Sequence, residues 1–172
     1  MGEEIRYTAA VITVSDKCSR GEREDTSGPA IKAMLEQDGW DVVYQNIVPD
    51  EFELIKGELV NCSYELDVCL AITTGGTGFS RRDVTPEATE AVINRVAPGI
   101  AEAMRAASVR ITPRGMLSRG IAGLRGGTLI INLPGSAKAA TESLDAVLPA
   151  LKHGVDMLRG LKNECASQTH KE

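Results

Sequence analysis

The sequence is poor in aromatic side chains, which make up 3% of its residues, and it holds only two histidines. A core with so few rings must be built from Val, Ile, Leu and Ala, a composition typical of buried parallel strands covered by helices. The chain has 172 residues, 42% of them hydrophobic, which suffices for one sizeable core. We therefore expect one domain over residues 1–162, followed by a disordered tail over residues 163–172.

Metal-ligand and targeting patterns are also missing. The four cysteines form no Cys-x-x-Cys pair, and two histidines do not supply the spacing of a zinc site. We expect Cys69 to be an inert core thiol and Cys18 to lack a histidine that could act as its base. No stretch approaches the roughly 18 apolar residues of a membrane span, and the first residues lack a signal-peptide pattern. These absences predict a soluble, cytoplasmic protein with free thiols.

The charge is unevenly distributed along the chain. A net charge of −5 argues against non-specific binding of nucleic acid. Between Arg81 and Arg125, however, eight arginines stand against only four carboxylates. Such a region suits a small anionic ligand held by planar guanidinium groups, although a solvated basic face explains the charge equally well.

Apolar periodicity and turn residues divide the chain into alternating strands and helices. Strands are predicted over residues 7–15, 41–47 and 68–73, a polar loop over 16–26, helices over 30–37, 52–59, 85–95, 98–110 and 138–159, and a hairpin with arms 121–124 and 128–133. Thr85 is the expected N-cap of its helix, and Pro149 the expected kink of the last one. The pattern predicts a three-layer α/β fold, a mostly parallel sheet with helices on both faces, plus a β-hairpin before the last strand.

Three polar loops follow predicted strands, where ligands bind in such sheets. They are Ser15-Asp16, Thr74 to Gly78, and Pro134 to Ser136. In the second, glycines allow backbone N–H groups to crowd around an anion, and Thr74, Thr77 and Ser80 add hydroxyl donors. The loop matches neither common nucleotide-binding glycine motif. On these residues alone, a phosphate cradle and a simple tight turn are about equally good explanations.

Two carboxylates, Asp50 and Asp83, also follow predicted strands. Mg²⁺ on a nucleotide is commonly held by one or two carboxylates together with phosphate oxygens, which converging loops could provide. Spacing alone favours a simpler role for Asp50 as a helix cap. Asp83 could equally be the charge partner of Arg81 or Arg82.

Several of these segments occur together in one known family. Thr73-Thr74-Gly75-Gly76-Thr77-Gly78, the following stretch from Arg82 to Thr89, and Leu133-Pro134-Gly135-Ser136 closely resemble the molybdopterin adenylyltransferase family of molybdenum-cofactor biosynthesis. Further segments match the same family in the same order: Ser15-Asp16, Asp25 to Pro29, Val48 to Glu51, Leu117 to Arg119 and Leu148 to Lys152. The resemblance covers nearly the whole chain, which makes it far more specific than a single glycine loop.

The resemblance implies a reaction and its residues. The terminal phosphate of molybdopterin would attack the α-phosphorus of Mg-ATP, with Asp50 and Asp83 as the functional, magnesium-binding carboxylates. The implied nucleotide and substrate contacts are Ser15, Asp16, Thr74, Gly75, Gly76, Thr77, Gly78, Ser80, Arg82, Ser118, Pro134, Gly135 and Ser136. Arg82, Arg114 and Arg119 are candidates for the pterin phosphate. Family members are typically trimers, so the resemblance also implies a homotrimer and a molybdenum insertase as downstream partner.

One departure and two alternatives accompany this interpretation. At Ser136-Ala137-Lys138 the family often has Asn or Ser followed by Pro, so this turn is expected to be slightly less rigid. A non-catalytic pterin-binding or scaffold module could share the fold, since fold alone does not secure function. The related domain of molybdenum insertases is the other alternative, but it usually comes with large additional domains. Retention of both Asp50 and Asp83 favours the enzyme.

Overall fold

The computed structural model describes residues 6–161, so the predicted disordered tail lies outside the described residues. Six strands form a mixed sheet in the order β2-β1-β3-β6-β5-β4. They are β1 (Thr8–Val14), β2 (Asp41–Val48), β3 (Leu70–Thr74), β4 (Arg95–Val96), β5 (Ala122–Arg125) and β6 (Thr128–Leu133). The first four in that order run parallel, while β5 and β4 pair antiparallel at one edge.

Helices cover both faces of this sheet. They are α1 (Asp16–Ser19), α2 (Ser27–Gln37), α3 (Phe52–Val60), α4 (Thr85–Glu90), α5 (Pro98–Ile111) and α6 (Ala137–Arg159), with a π-helical turn at Asn61–Glu65 and a 3-10 turn at Pro113–Leu117. One core packs α2, α5 and α6 against side chains such as Val11 and Ile131. The other packs α3 and α4 against the intervening side chains, such as Ile12 and Ile130. The predicted three-layer fold is confirmed.

The last helix, α6, covers the predicted range 138–159 and presents an apolar stripe to the sheet. Its Ala140, Leu144, Val147 and Leu151 are all buried, as an amphipathic helix on a sheet requires. The helix continues through Pro149 and ends at Gly160, whose φ of 65° suits a residue without Cβ. Within residues 6–161, no helix is both long and apolar enough to cross a membrane.

The segment from Thr85 to Val96 differs from its prediction. The helix predicted to reach residue 95 ends at Glu90, and Arg95–Val96 forms the edge strand β4. Asn94 N donates to Leu124 O at 2.8 Å, which pairs this stretch with β5. A two-residue strand is too short to show any periodicity. The predicted N-cap was also wrong, because Thr85 lies inside the first turn and its hydroxyl donates to the Gly75 carbonyl.

Two further corrections concern connections. The hairpin was placed before the last strand, but its second arm, β6, is itself the last strand and lies inside the sheet. The loop predicted over residues 16–26 begins with the short helix α1. Ser15 caps that helix, because its Oγ accepts a hydrogen bond from Cys18 N at 3.2 Å.

The cysteines of the described region are free thiols. Cys69 is buried in front of β3, which confirms its predicted place in the core. Burial raises the pKa of the Cys62 thiol to about 12, so this sulfur stays protonated and unreactive at neutral pH.

Asn132 is a fully buried polar residue in the central strand β6. Its Nδ2 donates to Thr73 Oγ1 at 2.9 Å on the neighbouring strand and to Thr89 Oγ1 at 2.8 Å on α4. Its Oδ1 accepts from Ile121 N at 3.2 Å, just before β5. One amide therefore joins two sheet neighbours and a helix, directly below the loops that follow β3 and β6.

Candidate functional site

The carboxyl ends of β1, β3 and β6 are neighbours in the sheet, and the three polar loops meet there. Gly75 N donates to Leu133 O at 3.1 Å, and Thr74 Oγ1 donates to Pro134 O at 2.6 Å. Gly75 has a φ of 105°, and a Cβ there would lie 2.2 Å from Val14 O at the end of β1. The backbones approach too closely for any side chain at this position.

Two adjoining cavities open at this meeting point. The larger measures about 660 Å³ and extends towards the loop after β1. The smaller measures about 460 Å³ and extends towards the end of α5 and the 3-10 turn. The residues that line both are Gly76, Asp83, Gly135 and Ser136. The two cavities therefore adjoin along these four residues.

Thr85 holds the first half of the glycine loop. Its hydroxyl donates to Gly75 O at 2.9 Å, and its backbone N–H donates to Gly76 O at 3.1 Å. A Cβ on Gly76, where φ is 65°, would lie 2.3 Å from that hydroxyl oxygen. The threonine can approach the loop only because glycine stands there.

Arg119 holds the second half of the loop in the same way. Its backbone N–H donates to Thr77 O at 2.8 Å, and its Nε donates to Gly78 O at 2.8 Å. Four consecutive loop carbonyls thus accept hydrogen bonds from residues outside the loop.

The N–H groups of the loop are in the opposite situation. In a trans peptide the N–H points away from the carbonyl of the preceding residue. The four N–H groups opposite the engaged carbonyls have no hydrogen-bond partner among residues 6–161; they belong to Gly76, Thr77, Gly78 and Phe79. Successive unpaired N–H groups in a turn containing left-handed glycine conformations form an anion-binding nest.

Asp50 lies half-buried in the larger cavity and is fixed by Asp16. Asp16 N donates to Asp50 Oδ2 at 2.8 Å, and Asp50 N donates to Asp16 Oδ1 at 3.0 Å. Arg82 donates to both carboxylate oxygens of Asp16, at 3.0 and 2.9 Å, and to Glu51 Oε1 at 3.0 Å. These hydrogen bonds with Arg82 hold the pKa of Asp16 below its usual value.

The two predicted carboxylates converge on the larger cavity. Burial raises the pKa of Asp50, and the nearby charges of Asp16 and Asp83 raise it further. Asp83 is oriented by the loop, since its Oδ2 accepts a hydrogen bond from Ser80 N at 3.0 Å. A cation that bound together with an anionic ligand would reduce the repulsion between these two carboxylates. The ligand itself would accept hydrogen bonds from the loop N–H groups.

The residues fit a magnesium ion that is only partly held by protein. No group of three or more His, Cys, Asp or Glu side chains within residues 6–161 is arranged to hold a metal. Mg²⁺ is usually bound by one or two carboxylates together with phosphate oxygens and water. Asp50 and Asp83 supply that number of carboxylates, and the nest supplies a place for the phosphate.

The three candidate arginines have different surroundings. Arg82 is bonded to Asp16 and Glu51, and Arg119 to backbone carbonyls and Glu87. Arg114 lines the smaller cavity, and its guanidinium has no ion-pair or hydrogen-bond partner in the part of the chain that the structure describes. Of the three, Arg114 alone has all its side-chain donors available to a ligand.

Most residues predicted for the site line one of the two cavities. Those that do are Ser15, Asp50, Thr74, Gly75, Gly76, Thr77, Gly78, Asp83, Ser118, Pro134, Gly135 and Ser136. Asp16 and Ser80 line neither cavity but contact Asp50 and Asp83, which do. Arg82 also lines neither cavity, and it is bonded to Asp16 and Glu51. The role of all these residues as direct ligands stays a prediction.

Sequence reasoning missed one wall of the larger cavity. Asp25, Thr13 and Arg23 line it, with Asp25 Oδ2 accepting from Thr13 Oγ1 at 2.6 Å and Arg23 Nη2 donating to Ser15 Oγ at 3.2 Å. Asp25 Oδ1 also accepts from Gly28 N at 3.0 Å at the start of α2. In the sequence, the segment from Asp25 to Pro29 was only one of the family matches, and nothing in it showed the contact with β1.

Comparison with known proteins agrees with this geometry. The family described as a probable molybdopterin binding domain matches residues 10–153. The molybdopterin adenylyltransferase of Helicobacter pylori is 44% identical over 152 residues, covering 87% of this chain and 86% of that protein. Gephyrin of Dictyostelium discoideum is 40% identical over 179 aligned positions, which cover 98% of this chain but 25% of that protein.

A solved structure shows the same fold. The molybdopterin biosynthesis enzyme MoaB of Thermus thermophilus superposes with a TM-score of 0.86 at 47% identity, covering 90% of this chain and 97% of that one. Both the fold and the sequence are shared over most of the length. The chain therefore belongs to the molybdopterin adenylyltransferase family.

Proposed function

We propose that this protein transfers AMP from Mg-ATP to the terminal phosphate of molybdopterin and releases pyrophosphate. The observation that carries the proposal is the glycine loop at the junction of two cavities, where four consecutive N–H groups beside Asp83 have no partner among residues 6–161. Relatives 37–44% identical to this chain bear the name molybdopterin adenylyltransferase.

The two cavities support a reaction between two bound substrates. Their volumes, about 660 and 460 Å³, lie within the usual range of small-molecule sites. ATP would occupy the larger cavity, where Asp50 lies, and molybdopterin the smaller, where the free guanidinium of Arg114 lies. The reacting phosphates would then meet beside the shared residues Gly76 and Asp83.

The proposed reaction requires no protein nucleophile. An oxygen of the terminal molybdopterin phosphate forms a bond to the α-phosphorus of ATP. The bond from that phosphorus to the oxygen bridging to the β-phosphate breaks, and pyrophosphate leaves with the electron pair. The protein must hold two anions in line and offset their charge. Unpaired backbone N–H groups do this without reorganisation, because the loop carbonyls are already bonded elsewhere.

Asp50 and Asp83 would hold magnesium on the nucleotide. When bound, Mg²⁺ neutralises phosphate charge and orients the oxygens around it. Asp50 must be ionised for this role, although its surroundings raise its pKa. The hydrogen bond from Asp16 N and the charge of Arg82 both counteract that rise.

The assembly and location of the protein are also proposals. The family resemblance supports a cytoplasmic homotrimer that passes its product to a molybdenum insertase. Analytical ultracentrifugation should then give a mass three times the 18.3 kDa of one chain.

The first prediction concerns Asp83→Asn. The protein is incubated with molybdopterin and Mg-ATP, and released pyrophosphate and adenylylated pterin are measured. We expect turnover to fall about 100-fold or more, because one charged contact with the reacting phosphates is lost. The melting temperature should change little, since an amide oxygen can still accept from Ser80 N.

Asp38→Asn is the matched control, because that carboxylate pairs with Lys152 at the opposite end of the sheet. It should leave turnover unchanged. Absence of pyrophosphate from the parent protein would reject the enzyme, and binding of molybdopterin without turnover would support a non-catalytic module. Normal turnover by Asp83→Asn would remove Asp83 from the mechanism.

A further inference from the structure

Arg119 lies just before β5 and reaches across the site with its whole side chain. Besides its bonds to Thr77 O and Gly78 O, its Nη2 donates to Asp83 O at 2.8 Å. The same guanidinium forms an ion pair with Glu87 on α4. One residue therefore ties together the glycine loop, the backbone of a proposed magnesium ligand and the helix that follows.

These bonds decide where two unpaired N–H groups point. The Thr77 carbonyl shares a peptide plane with the N–H of Gly78, and the Gly78 carbonyl shares one with the N–H of Phe79. Because Arg119 holds both carbonyls on its own side, both N–H groups must face the other way. Thr85 does the same for the first two N–H groups of the nest.

We propose that Arg119 is a positioning residue for adenylyl transfer, whose guanidinium orients the Gly78–Phe79 peptide plane, next to the plane that its backbone N–H holds, so that the N–H groups of this half of the glycine loop meet the substrate phosphates. The inference rests on the proposed function. It differs from the expectation that Arg119 binds the pterin phosphate, because its donors are already used on two carbonyls and Glu87.

The guanidinium group is suited to this role in a way that an ammonium is not. Arginine presents donors in a rigid plane, so it can serve two carbonyls and a carboxylate at fixed angles. Glu87 offsets its charge, and the hydrogen bond from Arg119 keeps the pKa of Glu87 below its usual value. Because the Arg119 guanidinium is paired with Glu87, it orients the loop without itself binding the phosphate.

The chain contains a matched control. Arg159 donates to Gly127 O at 2.8 Å and to Asp67 O at 2.8 Å, and it pairs with the Asp67 carboxylate. It thus makes the same three kinds of contact at the opposite end of the sheet. A variant at Arg159 reproduces the structural cost of losing such an arginine without touching the site.

The experiment compares Arg119→Gln, Arg119→Lys and Arg159→Gln. We expect both Arg119 variants to lower kcat for pyrophosphate release about 100-fold, as loss of preorganised donors does. Arg159→Gln should lower the melting temperature by a similar amount but keep kcat within about 2-fold of the parent. In Arg119→Ala, millimolar methylguanidinium should restore kcat about 10-fold. The amide order parameter of Phe79 should fall from about 0.85 to below about 0.6 in Arg119→Gln. That of Gly78 should stay near about 0.85, because its peptide plane is held by the backbone N–H of Arg119, which the variant keeps.

Each alternative outcome overturns the proposal. Normal turnover in Arg119→Lys would mean that charge, not orientation, is required. Unfolding of both Arg119 variants under conditions where Arg159→Gln is folded would make Arg119 a residue of the fold alone. If the parent releases no pyrophosphate, the proposed function fails, and the order parameter of Phe79 still tests the positioning. An unchanged value in Arg119→Gln would then reject it separately.

Discussion

At each end of the parallel sheet an arginine side chain donates hydrogen bonds to backbone carbonyls, but the two ends differ in whether the N–H of the same peptide plane has a partner. At the amino end, Arg159 holds the carbonyl of Asp67, and the N–H in that peptide plane belongs to Val68. Val68 N donates to Cys62 O at 3.0 Å, so no backbone donor is left over. At the carboxyl end, Arg119 holds the carbonyl of Gly78. The N–H in that plane has no partner within the described residues.

We interpret the contact of Arg159 as structural and the contact of Arg119 as one that serves the proposed site. Unpaired backbone N–H groups have a free-energy cost unless water or a ligand satisfies them, so folded proteins keep few of them. The glycine loop leaves four in succession without a partner among residues 6–161, while the carbonyls opposite them are bonded, which is the arrangement that the proposed anionic ligand would satisfy. Variants matched between the two ends can test this distinction.

Gly75→Ala should have the largest effect. Alanine would adopt a φ of 105° and bring its Cβ to 2.2 Å from Val14 O, so the ends of β1 and β3 must separate. We expect a loss of about 1–3 kcal/mol from backbone strain and about 1–3 kcal/mol from overpacking, measured by urea unfolding, together with loss of ATP binding.

Gly126→Ala, in the hairpin turn at the amino end, is its control. Gly126 has a φ of 54°, but nothing lies within 4 Å of an added Cβ. It should lose only about 1–2 kcal/mol and keep its affinity for ATP. Equal losses in the two variants would show that the close approach at Gly75 contributes nothing.

Asp50→Asn should separate stability from activity. Because burial and neighbouring carboxylates raise the pKa of Asp50, the folded state binds its proton more tightly than the unfolded state does. The free energy of unfolding therefore falls as the pH rises from the unfolded-state pKa of Asp50 to its higher folded-state pKa. A neutral amide at this position removes that loss at pH 7. We expect an equal or higher melting temperature and a fall in turnover of about 100-fold or more.

Tyr7→Phe, at the other end, should give the reverse pattern. Tyr7 OH donates to the buried carboxylate of Asp156 at 2.8 Å. Removing this buried hydrogen bond should cost about 1–3 kcal/mol in thermal unfolding and leave turnover unchanged. If Asp50→Asn were instead destabilised like Tyr7→Phe, its carboxylate would belong to the fold and not to the site.

Arg82→Gln should give the smallest effect, visible as a shift in pH dependence. The positive charge of Arg82 lowers the pKa of Asp50, so its removal raises that pKa further. The acid limb of kcat/KM should then move to higher pH, because Asp50 is protonated earlier as the pH falls. Arg6→Gln, which breaks an exposed pair with Asp41, should leave the limb in place. A shift towards lower pH in Arg82→Gln would contradict this account.

The sequence predicted those structural features that depend on a few adjacent residues. The place of the glycine loop after β3, and of Asp50 and Asp83 near strand ends, could be predicted because loops follow parallel strands at one edge of a sheet. Their role as ligands came from the family resemblance and stays a prediction. Strand β3, buried on both faces, was equally visible as a continuous apolar run. These features depend on neighbours in the chain.

The parts that could not be predicted depend on contacts between distant residues. Arg119 reaches a loop 41 positions away through backbone carbonyls, which carry no sequence signal. Thr85 looked like a helix cap because a capping hydroxyl and a loop-binding hydroxyl are the same chemical group. Strand β4 exists only because β5 pairs with it, so its two residues showed no pattern of their own.

Asn132 helps to fix the register between strands β3 and β6. Apolar residues fill both faces of β3 and β6, so a slipped pairing would still bury hydrocarbon. The amide tolerates no such slip, because Asn132 meets Thr73 only in the native register, and elsewhere its buried donors would lack partners. Gly135 follows Asn132 by three residues and packs against Gly75, so the same hydrogen bonds also disfavour misaligned chains in which the loops of the proposed site never meet.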